Sequence, residues 1–118
     1  MAEEPTSNRQ AALEQLVSLA VAPRVARAAL AQFEWDSDTE LVQVVASDAS
    51  RVLSRIVEGT LSLPEASEWA EALDARDDVG YEQPLREELR RFVFELSSPE
   101  ISGAGSPSWL SEWTNLLR

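Results

Sequence analysis

The amino-acid sequence predicts an all-α fold, a single compact domain of five or six short amphipathic helices. Three observations lead to this fold class. The chain has 118 residues, the usual size of one domain, and 44% of them are apolar, enough for one packed core. Apolar residues recur at helical three- and four-residue spacing along most of the chain. Serine and proline signals for the start of a helix precede several of these stretches.

The amino-terminal part of the chain predicts a short tail and two helices. We expect residues 1–6 to form a disordered tail and residues 7–118 to form the domain. Ser7 and Gln10 have the capping-box pattern S-x-x-Q, which opens the first helix. Pro23 stands where a second helix would begin, since proline is favoured in the first helical turn.

The next segment has two readings. Ser37 and Glu40 form a second capping-box pattern, which predicts a helix start near Asp38. Residues 41–45 are rich in β-branched side chains and are also compatible with a short extended piece. We favour a helix, because the rest of the chain offers no evident strand partner and an isolated strand leaves its backbone unpaired.

Two further helices follow in the middle of the chain. Ser47 is a candidate cap for a helix over residues 48–58, and Gly59 fits the position just after its end. Trp69 lies in the apolar stripe of the helix after it, so we place it in the core. The clearest helix start in the sequence introduces that helix with a serine cap, an early proline and a capping-box glutamate: Ser62, Pro64 and Glu65.

The carboxyl-terminal part predicts a turn, a long helix, a connector and a final helix. Residues 77–80 have the composition of a turn, and Pro84 marks the start of the helix with the longest apolar stripe. Residues 101–106 read as a flexible connector rich in Gly and Ser. Ser106 and Pro107 open the last helix. Trp109 and Trp113 lie on it, and the favoured interpretation is that they dock it onto the core.

Composition excludes several kinds of functional site. The ten basic residues are all arginine, and the chain contains no Lys, His or Cys. Disulfides, thiolate catalysis, Cys/His zinc sites, His-based triads and Schiff-base lysines are therefore excluded. No Gly-rich phosphate loop is present. We expect no enzymatic activity, no catalytic residue and no cofactor.

The charge indicates the class of partner. Twenty-one acidic residues give a formal net charge of −11, which repels nucleic acids and anionic membranes and attracts basic proteins. The same charge also keeps a small protein soluble, which is the simpler interpretation. No apolar run approaches the ~18 residues of a membrane span, and the polar amino terminus is unlike a secretory signal. We expect a cytoplasmic monomer or homodimer.

Two acidic clusters hold twelve of the 21 carboxylates, one within residues 34–40 and the other within residues 58–82. In the second cluster, like charges recur at three-residue spacing on one helix, and each such pair costs a few tenths of a kcal/mol. This cost indicates a functional acidic surface, although a merely solvated face is the alternative. An aromatic side chain flanked by charge is common at binding hot spots. The residues that we expect to bind a partner are Glu68, Glu71, Asp74, Asp77, Asp78 and Glu82, with Trp35, Asp36 and Asp38 as a second patch.

A metal site is a weaker interpretation of the same carboxylates. The pattern D-x-x-D-D-x-G-x-E from Asp74 to Glu82 departs from the EF-hand loop, and Arg76 within it would lower the affinity for a cation. We therefore expect a structural turn in which Arg76 pairs with a neighbouring carboxylate, and no metal. Glycosidase-like catalysis needs a distinct pair of acids, and the sequence singles out none.

The residues carry two resemblances to known proteins. The pattern G-x-L-S-x-x-E, W-A, R-D-D-V-G-Y-E and F-E-L-x-x-P-E, within residues 52–101, resembles a group of small acidic bacterial proteins, which implies a shared fold. In size, charge and helix content the chain is also similar to colicin-like immunity proteins, which cover the active site of a basic nuclease toxin. That similarity implies a mechanism and assigns no contact residues.

The expected function is a non-enzymatic acidic protein-binding module. Its leading form is an immunity or antitoxin-like inhibitor of a basic protein such as a nuclease toxin. The alternative is a structural or self-assembling helical protein that uses the helix of Trp109 and Trp113 as its interface.

Overall fold

The computed structural model describes residues 5–33, 37–74 and 76–117, with the backbone alone for residues 5–7. Within these ranges it forms seven helices and two strands. The helices are α1 (Pro5–Val17), α2 (Pro23–Leu30), α3 (Ala46–Glu58), α4 (Leu63–Leu73), α5 (Arg86–Ser97), α6 (Pro99–Ser102) and α7 (Pro107–Leu116). The strands are β1 (Val42–Val44) and β2 (Val79–Tyr81). Among these described residues, no helix combines the length and apolar character needed to cross a membrane.

The fold is mostly helical, as predicted, but the described residues form seven helices instead of the expected five or six, and the fold is not purely all-α. Strands β1 and β2 pair in parallel, with Gln43 opposite Gly80 at the centre of the register. Helices α3 and α4 form the crossover between them. The helical preference for residues 41–45 is corrected here, because residues 42–44 pair with β2. The turn expected at residues 77–80 is found at Asp77 and Asp78, whereas Val79 and Gly80 already belong to β2.

The helix start predicted near Asp38 is also wrong. The Ser37 hydroxyl accepts a hydrogen bond from the Thr39 amide at 3.2 Å and donates one to the Thr39 carbonyl at 2.6 Å. These bonds close a local turn, and serine in such a turn competes with helix formation. The chain then enters β1 directly.

The first helices begin close to their predicted starts. Helix α1 begins at Pro5, two residues before the expected cap at Ser7, and residues 1–4 of the expected tail lie outside the described residues. Helix α2 begins at Pro23, as predicted. Helix α3 begins at Ala46, so Ser47 lies within its first turn and is not its cap, contrary to the prediction. The Asp48 carboxylate instead accepts from the Val45 amide at 2.9 Å.

The strongest local signals are confirmed. In the capping box of α4, Ser62 Oγ accepts from the Glu65 amide at 3.2 Å and Glu65 Oε1 accepts from the Ser62 amide at 3.0 Å. At the start of α7, Ser106 Oγ accepts from the Trp109 amide at 3.2 Å. Gly59 follows α3 with a φ of 81°, a left-handed conformation that glycine adopts without strain.

The segment expected to be a connector contains more structure than its composition indicates. Helix α6 occupies its beginning, and Ala104 is buried in the turn that follows. Gly105 has a φ of +92°, and the Leu63 side chain lies where a Cβ at Gly105 would project. This packing leads the chain into α7 against the core.

The core lies around α4 and α5, which pack against each other, while α2 covers α4. Trp69 is fully buried, as predicted. Trp109 and Trp113 are 6% and 1% exposed, which confirms that α7 docks inward. Phe92 joins these three tryptophans, stacking on Trp109 at 5.5 Å between ring centroids and meeting Trp113 edge to face at 5.2 Å.

Candidate functional site

A cleft of about 490 Å³ opens between the end of α4, strand β2 and helix α5. One side carries Asp74 and Asp77, which we call the acidic side. The other carries Arg86 and Arg90 of α5, which we call the arginine side. The remaining lining residues are Glu40, Arg76, Val79, Tyr81, Arg91 and Phe94.

The acidic side stands at the carboxyl-terminal end of α4. Asp74 is the C-cap residue, and its amide donates to the Ala70 carbonyl at 2.8 Å. A negative charge is unfavourable here because the helix dipole places partial negative charge at this end, and the last turn of α4 has no basic residue to offset it. In the described part of the chain, neither Asp74 nor Asp77 has an arginine nitrogen within 4.0 Å.

The arginine side is a line of exposed side chains along α5. Arg86, Arg90 and Phe94 are spaced by four residues, which places them on one face of the helix. Arg86 reaches the Glu40 carboxylate only at 4.0 Å. The Arg90 guanidinium lies 6.0 Å from the centre of the Tyr81 ring. Phe94 is 60% exposed at the edge of the cleft, although it is a large apolar side chain.

Arg91 differs from its neighbours because it is engaged by α7. Its guanidinium lies 4.6 Å from the centre of the Trp113 ring, and its Nε is 3.6 Å from Glu95 Oε2. Cation–π and ionic contacts together hold this side chain toward the tryptophans. The positive charge of Arg91 is therefore less accessible to a ligand in the cleft than the charges of Arg86 and Arg90 are.

Val79 and Tyr81 of β2 line the cleft, and Gly80 lies between them in the strand. A Cβ at position 80 would collide with the Glu40 carboxylate, so the absence of a side chain there lets Glu40 lie against the strand. Burial, together with the Asp74 charge, raises the pKa of Tyr81 to about 12, against the opposing effect of the Arg90 charge. The phenol therefore stays protonated at neutral pH and can donate a hydrogen bond.

Asp78, which we expected to contact a partner, lies in the interior. Its side chain is fully buried, and Arg76 contacts both of its carboxylate oxygens, at 2.9 and 3.1 Å. Arg9 of α1 donates to the same carboxylate at 2.7 Å. Burial alone would raise the pKa of Asp78, but the hydrogen bonds from Arg76 and Arg9 outweigh it and lower the pKa. The expected pairing of Arg76 with a neighbouring carboxylate is confirmed. The Asp78 carboxylate is not accessible to a partner protein, because it is buried.

The other expected contact residues are dispersed. Glu68 and Glu71 both face Arg27 of α2, each at 3.7 Å. Glu82 Oε2 accepts from the Ala46 amide at 3.4 Å, at the first turn of α3. Asp38 is exposed in the loop before β1. The remaining two, Trp35 and Asp36, lie outside the described residues.

Of the expected surface, the structure places Asp74 and Asp77 together in the cleft, while Glu68 and Glu71 lie together at Arg27. The sequence interpretation missed Tyr81 and the arginine side of the cleft. One signal could have found the latter, since Phe94 falls outside the apolar stripe of α5 and in line with Arg86 and Arg90. An apolar side chain on the polar face of a helix has no packing role in the core.

Within the described ranges, no group of three or more acidic side chains is placed to hold a metal ion. No family model, curated protein or solved structure matches this chain.

Proposed function

We propose that this chain is a non-enzymatic protein-binding module that engages a basic partner through the acidic side of the cleft. One observation carries the proposal. Asp74 and Asp77 stand without an arginine partner among the described residues, and Asp74 caps the helix end where negative charge costs stability. Charged residues that are retained although they lower the stability of the fold are typical of a binding site.

Phe94 and the net charge support the same interpretation. An exposed aromatic ring beside charged side chains can become an anchor once a partner excludes water from it. The net charge of −11 would attract a basic protein over a distance and accelerate the encounter, and the local carboxylates would then fix its position.

The specific form that we propose is an immunity or antitoxin-like inhibitor of a basic protein such as a nuclease toxin. Such a nuclease holds substrate phosphates with arginine and lysine side chains. The Asp74 and Asp77 carboxylates, carried on a folded scaffold, would occupy those positions and exclude the substrate. The small size, acidity and mainly helical fold agree with this role.

The test is a pull-down from a lysate of the source organism, using the tagged chain and washes of rising salt. A basic partner should be retained at low salt and released at high salt, because screening weakens exposed charge attraction. The retained protein should lose its activity when the purified chain is added. Failure of the chain to inhibit any retained basic protein would exclude the inhibitor form.

A matched pair of variants separates local from overall charge. Asp74→Asn/Asp77→Asn removes two charges from the cleft, and Glu100→Gln/Glu112→Gln removes two exposed charges elsewhere. Both variants carry the same net charge, so the first should lose the partner while the second retains it. Equal retention by the two would overturn the assignment of the acidic side.

A further inference from the structure

The cleft contains charges of both signs that do not neutralise each other. Asp74 and Asp77 have no arginine nitrogen within 4.0 Å, and Arg90 has no carboxylate oxygen within that distance, in the part of the chain that the structure describes. Each group nevertheless lines the same 490 Å³ space. The two sides belong to different elements, the end of α4 and the middle of α5, which pack together through the core.

This separation is a property of the scaffold. Flexible side chains of opposite sign on a surface tend to meet, as Arg27 meets Glu68 and Glu71 elsewhere on this protein. Tyr81 lines the same cleft, and the Arg90 guanidinium lies 6.0 Å from the centre of its ring. The cleft therefore separates the acidic side from the arginine side, with strand β2 following α4 and preceding α5 in the chain.

A ligand that carries both signs of charge can satisfy both sides at once. Its cationic group would meet Asp74 and Asp77, and its carboxylate would meet Arg90 and Arg86, whose own contact with Glu40 is long at 4.0 Å. Arginine is suited to the second task because its planar group binds carboxylates through paired hydrogen bonds. The Phe94 ring offers an apolar contact beside them.

We propose that the cleft binds a peptide segment of the partner in which a basic side chain and an acidic side chain stand within a few residues of each other. This inference rests on the proposed function and narrows the recognised partner from a basic surface to a segment of mixed charge. A purely basic segment would leave the arginine side facing like charge, which disfavours it. The arginine side therefore supplies selectivity, and the acidic side supplies attraction.

The test is selection of peptides from a random phage-displayed library on the intact protein, followed by binding measurements on synthetic peptides. The enriched sequences should contain Arg or Lys close to Asp or Glu. Replacing the acidic residue of an enriched peptide by its amide should weaken binding by about fivefold or more. Enrichment of basic sequences without acidic residues would overturn the proposal and leave the proposed function standing.

Variants assign the two roles separately. Arg90→Gln should abolish the preference for the mixed-charge peptide over its amide version, while Arg24→Gln, an exposed arginine on α2, should leave it unchanged. Asp74→Asn/Asp77→Asn should weaken both peptides. Undiminished binding to that double variant, or absence of enrichment by the folded protein, would contradict the site itself and with it the proposed function. Circular dichroism of each variant verifies that it is folded.

Discussion

Asp78 is the residue on which the internal electrostatics depend. A buried carboxylate is costly unless it is paired and hydrogen-bonded, and Arg76 and Arg9 together meet both conditions. Its backbone carbonyl also accepts from the Leu41 and Val42 amides, at 2.8 and 3.3 Å. Through these contacts Asp78 connects α1, the segment after α4 and the start of β1.

The first prediction concerns this carboxylate and acid pH. Asp78→Asn should lower the free energy of unfolding at pH 7 by about 3–5 kcal/mol, because the buried Arg76 would lose the charged carboxylate that it contacts through both oxygens. The pKa of Asp78 is lowered in the folded protein, so the native state binds fewer protons than the unfolded state near that pKa. Its stabilising effect is therefore present above the ordinary pKa of aspartate and is lost as the pH falls through the lowered folded value.

Urea unfolding at several pH values measures this effect. The difference between the wild-type protein and Asp78→Asn should shrink steadily below about pH 4. Should Asp78→Asn fail to fold, Arg9→Gln provides the comparison, since it keeps the hydrogen bonds from Arg76. A difference independent of pH down to pH 2 would show that folding does not lower the pKa of Asp78.

At the scale of elements, the attachment of α7 is the clearest case of a tertiary contact formed by polar groups. Trp109 and Trp113 both donate their indole N–H to Glu95 Oε1 of α5, at 2.8 and 3.0 Å. Both rings also pack on Phe92 of the same helix. The carboxylate thus fixes the rotation of α7 about its axis, while the rings supply most of the buried apolar area.

The second prediction separates these contributions. Glu95→Ala should lower the free energy of unfolding by about 2–4 kcal/mol, because two buried indole N–H groups lose their acceptor. Glu95→Gln retains a carbonyl oxygen at the same place and should lose less than half as much. Thermal and urea unfolding followed by circular dichroism provide the measurement. Equal losses for the two variants would assign the stability of α7 to ring packing and negative charge instead of to acceptor geometry.

Elements that depend on neighbouring residues could be predicted from the sequence, and elements that depend on distant residues could not. The caps at Ser62 and Ser106 are predictable because they depend on residues within four positions. Strand β1 was not predictable from the sequence, because its partner strand lies 37 residues further along the chain. The sequence of that partner resembles a turn, since two aspartates and Val79 precede Gly80. The role of Asp78 depends on Arg9, 69 residues away, which no local pattern reveals. The charges of the cleft were visible in the sequence, and their arrangement across α4, β2 and α5 was not.

At the scale of the whole molecule, net charge and individual ion pairs act in opposite directions. The charge of −11 favours expansion of the chain through self-repulsion. The exposed pairs of Arg27 and Arg86 are long, at 3.7 to 4.0 Å, and such pairs contribute little stability. The pairs at Asp78 are buried and are screened much less by salt. Added salt should therefore weaken the repulsion between the acidic side chains more than it weakens the attraction within the ion pairs.

The third prediction follows from this balance. Raising NaCl from 20 to 500 mM should increase the Tm by about 3–6 °C, equivalent to roughly 1 kcal/mol for a domain of this size. MgCl₂ at matched ionic strength should give the same increase, because screening depends on ionic strength alone. A fall in Tm with NaCl would show that surface ion pairs dominate. Saturable stabilisation at millimolar Mg²⁺ beyond the NaCl effect would instead assign a cation site to the carboxylates, with Asp74 and Asp77 the first to test by substitution.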